Sequence, residues 1–293
     1  MNIVKIAAAS CANIQQINPQ PVWSEIRAER PDVLLLLGDN IYLDHDRHSS
    51  PDKLRRELQR LYAAQLGEPH LLALLADLKV RSATLLATYD DHDFLGNNRN
   101  GGDHNPDLRA AAREEFVRAF APNLTSSDIF RVVRFPLVDI IALDTRFYRR
   151  SAAESKHDRD AILGAPQWSW LEETLTTSVT KFLVVSSSTT FHSFGNESWE
   201  QYPSAFERMR GLLRNRRGAL LVTGDAHRNA LYDDSGVIEV VTSGVARTGL
   251  MYGSPRKNYG ILTCTEDSIR VDLRSLKVGS RFDCTISLTN WTL

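Results

Sequence analysis

The chain has 293 residues, of which 42% are hydrophobic and 24% charged, with 35 basic against 36 acidic side chains. These values are ordinary for a globular protein with a full core, and they exclude a disordered or fibrous chain. Because the charges nearly balance, no global positive field favours nucleic acid or an anionic membrane, and any recognition of phosphate must be local.

The cysteines and the apolar runs bear on the compartment. Cys11, Cys264 and Cys284 form neither a CxxC pair nor the disulfide framework of a secreted domain. The opening "MNIVKIAAASC" imitates a signal peptide that ends in a lipoprotein cysteine, but its apolar stretch is too short for one. No apolar run is long enough to span a bilayer. We therefore expect a soluble, cytoplasmic protein.

From the N-terminus to about Asp225, short apolar runs alternate with helix-favouring segments, which is the pattern of strands joined by helical crossovers. Ser50 and Pro51 predict the N-cap and first residue of a helix that runs to Leu66, and Pro166 predicts a helix through Leu175. The predicted strands are Val4–Ala9, Val33–Leu37, Thr84–Thr88, Val138–Leu143, Phe182–Ser186 and Leu220–Thr223.

After Gly224 the segments favour strands and turns alone, as in "ALYDD", "VIEVVTSG", "YGILTCT", "SIRVDL" and "RFDCTISLTNW". This change predicts an added antiparallel layer. No linker rich in Pro, Gly or Ser separates it from the preceding part, so we expect one domain over residues 1–293.

Several predicted strands end in polar residues that can bind metal: "KIAAASC", "LLLLGDNIY", "LLATYDDHD", "FLVVSSSTT" and "LLVTGDAH". In an open α/β sheet, ligands collect outside the carboxyl ends of the strands. We therefore expect these distant segments to converge in one crevice.

The stretch "GDNIYLD" follows the second predicted strand. Gly38 allows a tight exit, after which Asp39 and Tyr42 offer a carboxylate and a phenol that can bind a hard cation. The alternative is a turn aspartate beside a packed tyrosine.

The stretch "DDHD" places Asp90, Asp91 and Asp93 around His92. Clustered acids at a buried edge must be protonated, paired or bound to a cation, and the stretch holds no basic partner before Arg99. The alternative is a capping cluster of solvated acids.

The stretch "GDAH" repeats this arrangement, because Asp225 and His227 alternate and can point the same way. Its alternative is a turn aspartate with a surface histidine. Cys11 alone is more typical of a small buried hydrophobe, but it ends the first strand. Asp39, Asp91 and Asp225 each follow an apolar strand, and polyvalent cations stabilise such a gathering of charge.

The remaining cysteines and several histidines favour ordinary structural roles. Cys264 and Cys284 sit in late strands, which indicates core thiols. His45, His48 and His104 lie in polar loops, which favours solvated surface residues.

These residues resemble the calcineurin-like metallophosphoesterase superfamily and, within it, the alkaline phosphatase D (PhoD-like) family. The resemblance implies an α/β fold in which a two-sheet β-sandwich is flanked by helices, in four layers α/β/β/α, and it implies phosphoester hydrolysis. It extends from about Ser10 to Gly244 and rests on eight motifs in the family's order: "SC", "GDNIYLD", "DDHD" with its following "NN", "LDTRFYR", "GAPQWSWLEETL", "ESWEQYP", "GDAH" and "VVTSG".

The resemblance also implies a dinuclear metal centre. Its first metal would be held by Cys11, Asp39, Tyr42 and His227; its second would share Asp39 and add Asp91, Asp225 and an asparagine, Asn97 or Asn98. A thiolate and a phenolate on one cation require a strong Lewis acid, which favours ferric iron. Oxygen ligands at the second position suit calcium, magnesium or manganese, with zinc a further option.

The implied chemistry is in-line attack on phosphate. Two metals sharing Asp39 would lower the pKa of a bridging water, and His92 matches the motif histidine that contacts phosphate and acts as an acid. Arg146 could instead be a structural partner for Asp144. The predicted substrate contacts are Asn97, Asn98, Arg99 and Arg146.

The sequence departs from the superfamily at one metal position. Where a further metal-binding histidine is usual, "VVSSSTTFH" offers hydroxyls, with His192 further along. Many PhoD-like enzymes also carry an export signal, whereas this sequence starts at its first core strand, which favours an intracellular role. The predicted pocket rim comprises the loops Leu43–Pro51, Gly96–Pro106 and Arg149–Gly164.

The predicted function is a phosphoester hydrolase, with diesters slightly favoured over monoesters and a phosphorylated small molecule, lipid or glycan as substrate. The alternative is a binding module that retains the metal and holds a phosphorylated ligand without turnover. A nuclease lacks support, because no basic stripe with interleaved aromatics is present.

Overall fold

The computed structural model describes residues 2–43, 50–126, 128–192, 197–246, 257–276 and 282–293. Most of the predicted rim loop Leu43–Pro51 lies outside the described residues, and so do His45 and His48.

The strands form two six-stranded sheets. The first sheet has the order β12-β11-β10-β1-β2-β3, and the second has the order β4-β5-β6-β7-β9-β8. The strands are β1 Val4–Ala9, β2 Val33–Leu37, β3 Thr84–Thr88, β4 Arg131–Arg134, β5 Val138–Ala142, β6 Phe182–Ser187, β7 Ala219–Thr223, β8 Asn229–Asp234, β9 Val237–Thr242, β10 Asn258–Cys264, β11 Ser268–Ser275 and β12 Phe282–Ser287.

Parallel pairing determines where the strand ends lie. In the first sheet β1, β2 and β3 are parallel neighbours, and in the second β5, β6, β7 and β9 are parallel neighbours. Parallel strands present their carboxyl ends at one edge of a sheet, so each sheet has one edge that collects the polar residues following these strands.

Helices cover the outer face of each sheet. The described helices are α1 Val22–Ala28, α2 Pro51–Leu66, α3 Pro69–Val80, α4 Asp91–Phe94, α5 Pro106–Phe120, α6 Ala152–Ser155, α7 Gly164–Thr177 and α8 Pro203–Arg214. In α2, the Ser50 side chain accepts a hydrogen bond from the Lys53 N–H and Pro51 is the first helical residue, which confirms that predicted start.

The core has three apolar regions because alternate residues of a strand face opposite sides of its sheet. Ile6 and Ala8 of β1 pack between the two sheets, whereas Ala7 and Ala9 pack against α1, α2, α3 and α5. Trp168 of α7 lies in a third cluster between the second sheet and its helices. The layers are therefore α/β/β/α, which confirms the predicted fold class.

The predicted strand bounds agree with the structure within one residue, and the helix predicted from Pro166 is α7. The segments after Gly224 form strands as predicted, and most of them pair antiparallel, but the prediction that they make an added layer of their own is wrong. Strands β8 and β9 extend the second sheet, with β9 parallel to β7, while β10 to β12 pair antiparallel onto β1 in the first sheet. The late strands divide in this way because each sheet still offers an unpaired strand edge.

Among the described residues, no helix combines the length and the apolar character that crossing a bilayer requires.

Candidate metal centre

The carboxyl-terminal edges of the two sheets meet. Ala246 N donates to the Cys11 carbonyl at 3.0 Å, and Gly224 N donates to the Ser188 carbonyl at 3.2 Å. The Thr88 hydroxyl donates to the Leu143 carbonyl at 2.6 Å. The first and third of these bonds join strand ends of the first sheet to those of the second, and the Gly224–Ser188 bond joins the ends of β7 and β6 within the second sheet. Ala12 N also donates to the Asp39 carbonyl at 2.8 Å, so the segments after β1, β2, β3, β6, β7 and β9 line one crevice.

Backbone conformation at these strand ends is unusual. Cys11, Asp39, Asp225 and His227 have φ of 59°, 52°, 64° and 52°, a region that non-glycine residues seldom adopt. Such conformations persist where surrounding structure enforces them, and they are typical of functional sites. Gly38 has φ 94°, and a Cβ there would lie 2.6 Å from the Asp90 Cβ, so only glycine permits this close approach.

The first group of potential ligands comprises Cys11, Asp39 and His227, whose donor atoms lie within 4.8 Å of one another. The Tyr42 hydroxyl adds to it, because it lies 2.9 Å from Asp39 Oδ2 and 3.4 Å from His227 Nε2. Cys11 Sγ lies 3.5 Å from the same Asp39 oxygen. A thiol, a phenol, an imidazole and a carboxylate thus face a common point.

Two further groups share Asp39. One comprises Asp39, Asp91 and His92, and the other Asp39, Asp90 and Asp225, each with donor atoms within 4.8 Å. Asp39 therefore belongs to all three groups. An oxygen donor shared by several groups in this way could serve more than one cation.

Without a cation, the negative charges of this buried cluster would destabilise one another. Burial and the neighbouring Asp91 and Asp90 raise the pKa of Asp39 well above its usual range, and burial together with Asp90 raises the pKa of Asp225. Burial and Asp39 also raise the pKa values of the Cys11 thiol and the Tyr42 phenol. Each group resists ionisation because it is desolvated beside other negative charges.

Two carboxylate oxygens at the centre, Asp39 Oδ1 and Asp90 Oδ2, are buried without a hydrogen-bond partner among the described residues. A buried oxygen without a donor is destabilising by about 1 to 3 kcal/mol. Cations bound between these oxygens would neutralise the clustered charge and satisfy both atoms. The residues present therefore fit a metal centre.

Comparison with known proteins gives the family. The model of the PhoD-like phosphatase family matches residues 6–267, most of the chain. The chain belongs to this family. It is therefore a phosphoesterase, and its ligand cluster is that of a metal-dependent one. No curated protein matches the sequence.

Solved structures agree in fold with this PhoD-like phosphatase. The structure of PhoD superposes with a TM-score of 0.76 at 17% identity, covering 99% of this chain and 71% of that chain. GAP50, the anchor in the inner membrane complex of Plasmodium, superposes with a TM-score of 0.63 at 13% identity, covering 97% of this chain and 89% of that chain. The fold is the calcineurin-like phosphoesterase fold.

Arg146 of the PhoD-like chain, which the sequence analysis assigns to substrate, has a fully buried side chain. Its Nε lies 2.5 Å from Asp90 Oδ1 and its Nη1 lies 2.5 Å from Glu197 Oε2. Ser188 also donates to Asp90 Oδ1 at 2.9 Å. Arg146 and Ser188 therefore both bind Oδ1 of Asp90, while its Oδ2 has no hydrogen-bond partner among the described residues. Its contact with Asp144 is made by its backbone N–H alone, at 3.0 Å.

Asp91 differs from the other acids. Burial raises its pKa, but Arg146, His92 and the backbone N–H of Asn98 outweigh burial and lower it to about 2. The Asn98 N–H donates to Asp91 Oδ2 at 2.6 Å, and the His92 N–H donates to Oδ1 at 2.8 Å. Asp91 is thus the acid of the cluster that is held ionised by the protein itself.

His92 lies against Tyr42, with ring centroids 4.2 Å apart, and its Nδ1 is buried without a hydrogen-bond partner among the described residues. Asn97 and Asn98 are exposed, and Asn98 contacts Asp91 through its backbone rather than its side chain. Arg99 is half-buried three residues beyond Gly96, whose carbonyl accepts its backbone N–H.

The hydroxyl-rich segment after β6 supports the cluster instead of replacing the missing histidine. The Thr189 hydroxyl accepts hydrogen bonds from Arg146 at 3.3 Å and Arg149 at 3.1 Å. His192 pairs with the buried Glu239 at 2.8 Å and is in none of the ligand groups.

Two residues at the centre, Asp90 and Ser243, are not among the predicted ligands. The charge of "DDHD" is a visible signal in the sequence, but it does not distinguish Asp90 from Asp91, the predicted ligand. Ser243 lies 3.0 Å from Cys11 Sγ. The sequence places Ser243 inside the predicted strand segment "VIEVVTSG", whereas β9 ends at Thr242, so its place at a strand end becomes visible only in the structure.

Proposed function

We propose that this PhoD-like phosphatase hydrolyses phosphodiesters, and monoesters to a lesser extent, at a dinuclear metal centre, with a phosphorylated small molecule, lipid or glycan as substrate. The observation that carries the proposal is the membership of Asp39 in all three groups of potential ligands. A dinuclear site needs a carboxylate shared by two cations and a separate set of ligands for each cation. Asp39 can be the shared carboxylate, because different potential ligands accompany it in each group.

We assign the first cation to Cys11, Asp39, Tyr42 and His227. A cation that displaces protons from a buried thiol and a buried phenol must be a strong Lewis acid, which favours ferric iron. The second cation is assigned to Asp39, Asp91, Asp225 and the free oxygen of Asp90. This all-oxygen set favours calcium, magnesium or manganese.

The chain contributes acid catalysis and placement of groups. When bound, the two cations would supply an acidified water for attack and positive charge for the phosphate oxygens. His92 stands beside Asp39 and Asp91 in one ligand group, where its ring can donate a proton to the departing alkoxide. Asp91 holds His92 through the backbone N–H, and the Tyr42 ring, tilted against the imidazole with centroids 4.2 Å apart, restricts its rotation.

Hydrolysis of bis(p-nitrophenyl) phosphate by purified, metal-analysed protein tests the proposal. We expect two metal ions per chain and turnover that Asp91→Asn or His92→Ala reduces by at least about a hundredfold. His70→Ala, at a histidine of α3 outside the predicted rim loops, is the matched control and should leave turnover unchanged.

The outcomes separate the possible functions. Full turnover in both Asp91→Asn and His92→Ala contradicts the assignment. A protein that retains both metals and binds phosphate but turns over no phosphoester would be a binding module instead.

A further inference from the structure

Ser243 is the first residue after β9 and is fully buried. Its backbone N–H donates to Asn258 Oδ1 at 3.1 Å, which fixes the residue in place. Its Oγ lies 3.0 Å from Cys11 Sγ. The hydroxyl therefore sits directly against the sulfur that the proposed function assigns to the first cation.

The direction of this hydrogen bond follows from counting protons. Ser243 Oγ accepts the backbone N–H of His227 at 3.0 Å. A serine hydroxyl has one proton to donate, whereas a thiolate can only accept. If Cys11 holds a metal as a thiolate, its sulfur has no proton to donate, and Ser243 would then be the donor across the 3.0 Å contact.

One hydroxyl thus contacts two of the four residues assigned to the first cation. It lies 3.0 Å from the Cys11 sulfur and accepts the backbone N–H of His227, which has the strained φ of 52°. Groups that hydrogen-bond to metal ligands orient them and tune the metal, and hydrogen bonds to a ligating sulfur withdraw electron density from it.

We propose that Ser243 is a positioning residue of the first metal site: its hydroxyl donates to the Cys11 thiolate and holds the His227 backbone, and so sets the electron density on the sulfur and the retention of the metal. This inference rests on the proposed function, because it concerns the same centre.

The test is the absorption band of sulfur-to-metal charge transfer in the metal-loaded protein. In Ser243→Ala the sulfur loses its donor and becomes more electron-rich, so the band should move to lower energy. The rate of metal release to a chelator should rise by roughly 10-fold to 100-fold. Ser243→Thr keeps the hydroxyl and should restore the band position.

Ser10→Ala is the matched control. Ser10 is also buried and precedes Cys11, but its hydroxyl donates to the Thr242 carbonyl at 3.2 Å rather than to the sulfur. Its removal should leave the band in place. If Ser243→Ala does not fold, the wild-type protein still decides the question: its metal–sulfur stretching frequency should shift in D2O, because the Ser243 hydroxyl hydrogen that is bonded to the sulfur is exchangeable.

A band that Ser243→Ala leaves unmoved, or a stretching frequency indifferent to D2O, overturns this inference alone. A metal-loaded wild-type protein without any sulfur-to-metal band overturns the ligand assignment, and the inference with it. Loss of turnover in Ser243→Ala with an unchanged band would point to a structural role only.

Discussion

At the scale of single residues, Arg146 and Asp90 show how the site manages its charge. The guanidinium occupies one oxygen of Asp90 and also pairs with Glu197, while the second oxygen of Asp90 has no partner among the described residues. Asp90 therefore pairs with the Arg146 guanidinium through Oδ1, and its Oδ2 remains available to the proposed metal. Its charge is only half compensated until a metal binds.

Replacing Arg146 by methionine should lower the free energy of unfolding of the metal-free protein by about 3 to 5 kcal/mol, because it leaves a buried Asp90 without its partner. Denaturant unfolding measures this change. Arg60→Met is the control, since Arg60 is 59% exposed and pairs with Glu57 on the surface. If Arg146 serves substrate binding instead, KM should rise while stability stays unchanged.

At the scale of elements, Asp93 joins two strand ends that both contribute ligands. Its carboxylate accepts the backbone N–H groups of Asn40 at 3.1 Å, Ile41 at 3.3 Å and Asp90 at 3.1 Å. The segment after β2 is thereby tied to the start of α4. Asp93 accordingly positions Asp39 and Asp91 without being a ligand itself.

Asp93→Ala should weaken metal retention and lower the free energy of unfolding by about 1 to 3 kcal/mol, because buried N–H groups lose their acceptor. Metal content after dialysis and denaturant unfolding are the measurements. Asp77→Ala, at a half-buried acid paired with Arg81 at the end of α3, is the control and should leave the metal content unchanged. Full metal content in Asp93→Ala would contradict the positioning role.

A second link between elements predicts pH dependence. Burial lowers the pKa of His192, but the hydrogen bond to Glu239 of β9 outweighs burial and raises it above its usual value. The folded state then holds the proton more tightly than the unfolded state. The resulting stability is present below the unfolded pKa and is lost as the pH rises through the folded pKa.

His192→Gln should remove this dependence. Wild-type unfolding free energy should fall, relative to that of His192→Gln, as the pH rises above the unfolded histidine pKa of about 6.5, and the two curves should be parallel where the histidine is neutral in both states. His157→Ala, at an exposed histidine, should retain the wild-type profile. Parallel curves over the whole range would show that the pair does not titrate as described.

At the scale of the whole molecule, the metal centre joins the two sheets. Potential ligands follow β1, β2 and β3 of the first sheet and β7 of the second. A cation that binds this folded arrangement but not the unfolded chain stabilises the fold by mass action. The packing of the two sheets and the binding of metal should therefore be coupled.

Removal of metal by a chelator should lower the Tm, and return of the metal should restore it. At a free metal concentration of about 100 times Kd, the stabilisation is about 2.7 kcal/mol. Differential scanning calorimetry of metal-free and metal-loaded protein measures it. The double variant Asp39→Asn, Asp225→Asn should show the same Tm with and without metal, and a remaining shift would place the metal elsewhere.

Much of this protein can be predicted from its sequence because the decisive patterns are local. The bounds of β1, β2, β3 and α2 follow from apolar runs, turn residues and the Ser50 cap, each of which acts over a few residues. Shorter or weakly patterned elements such as α1 and β4 escaped prediction. The polar residues after the strands were recognisable because parallel strands end at one edge.

Only the tertiary structure decided which groups meet. The late strands divide between two sheets, Arg146 pairs with Asp90, 56 residues away, and Ser243 reaches Cys11 across 232 residues. These contacts form only when the two sheets pack together. A buried charge is stable only beside an opposite charge or a hydrogen-bond partner, so its partner is whichever suitable group the packing brings close. The sequence alone determined the elements and the chemical types of the candidate ligands; packing decided their partners.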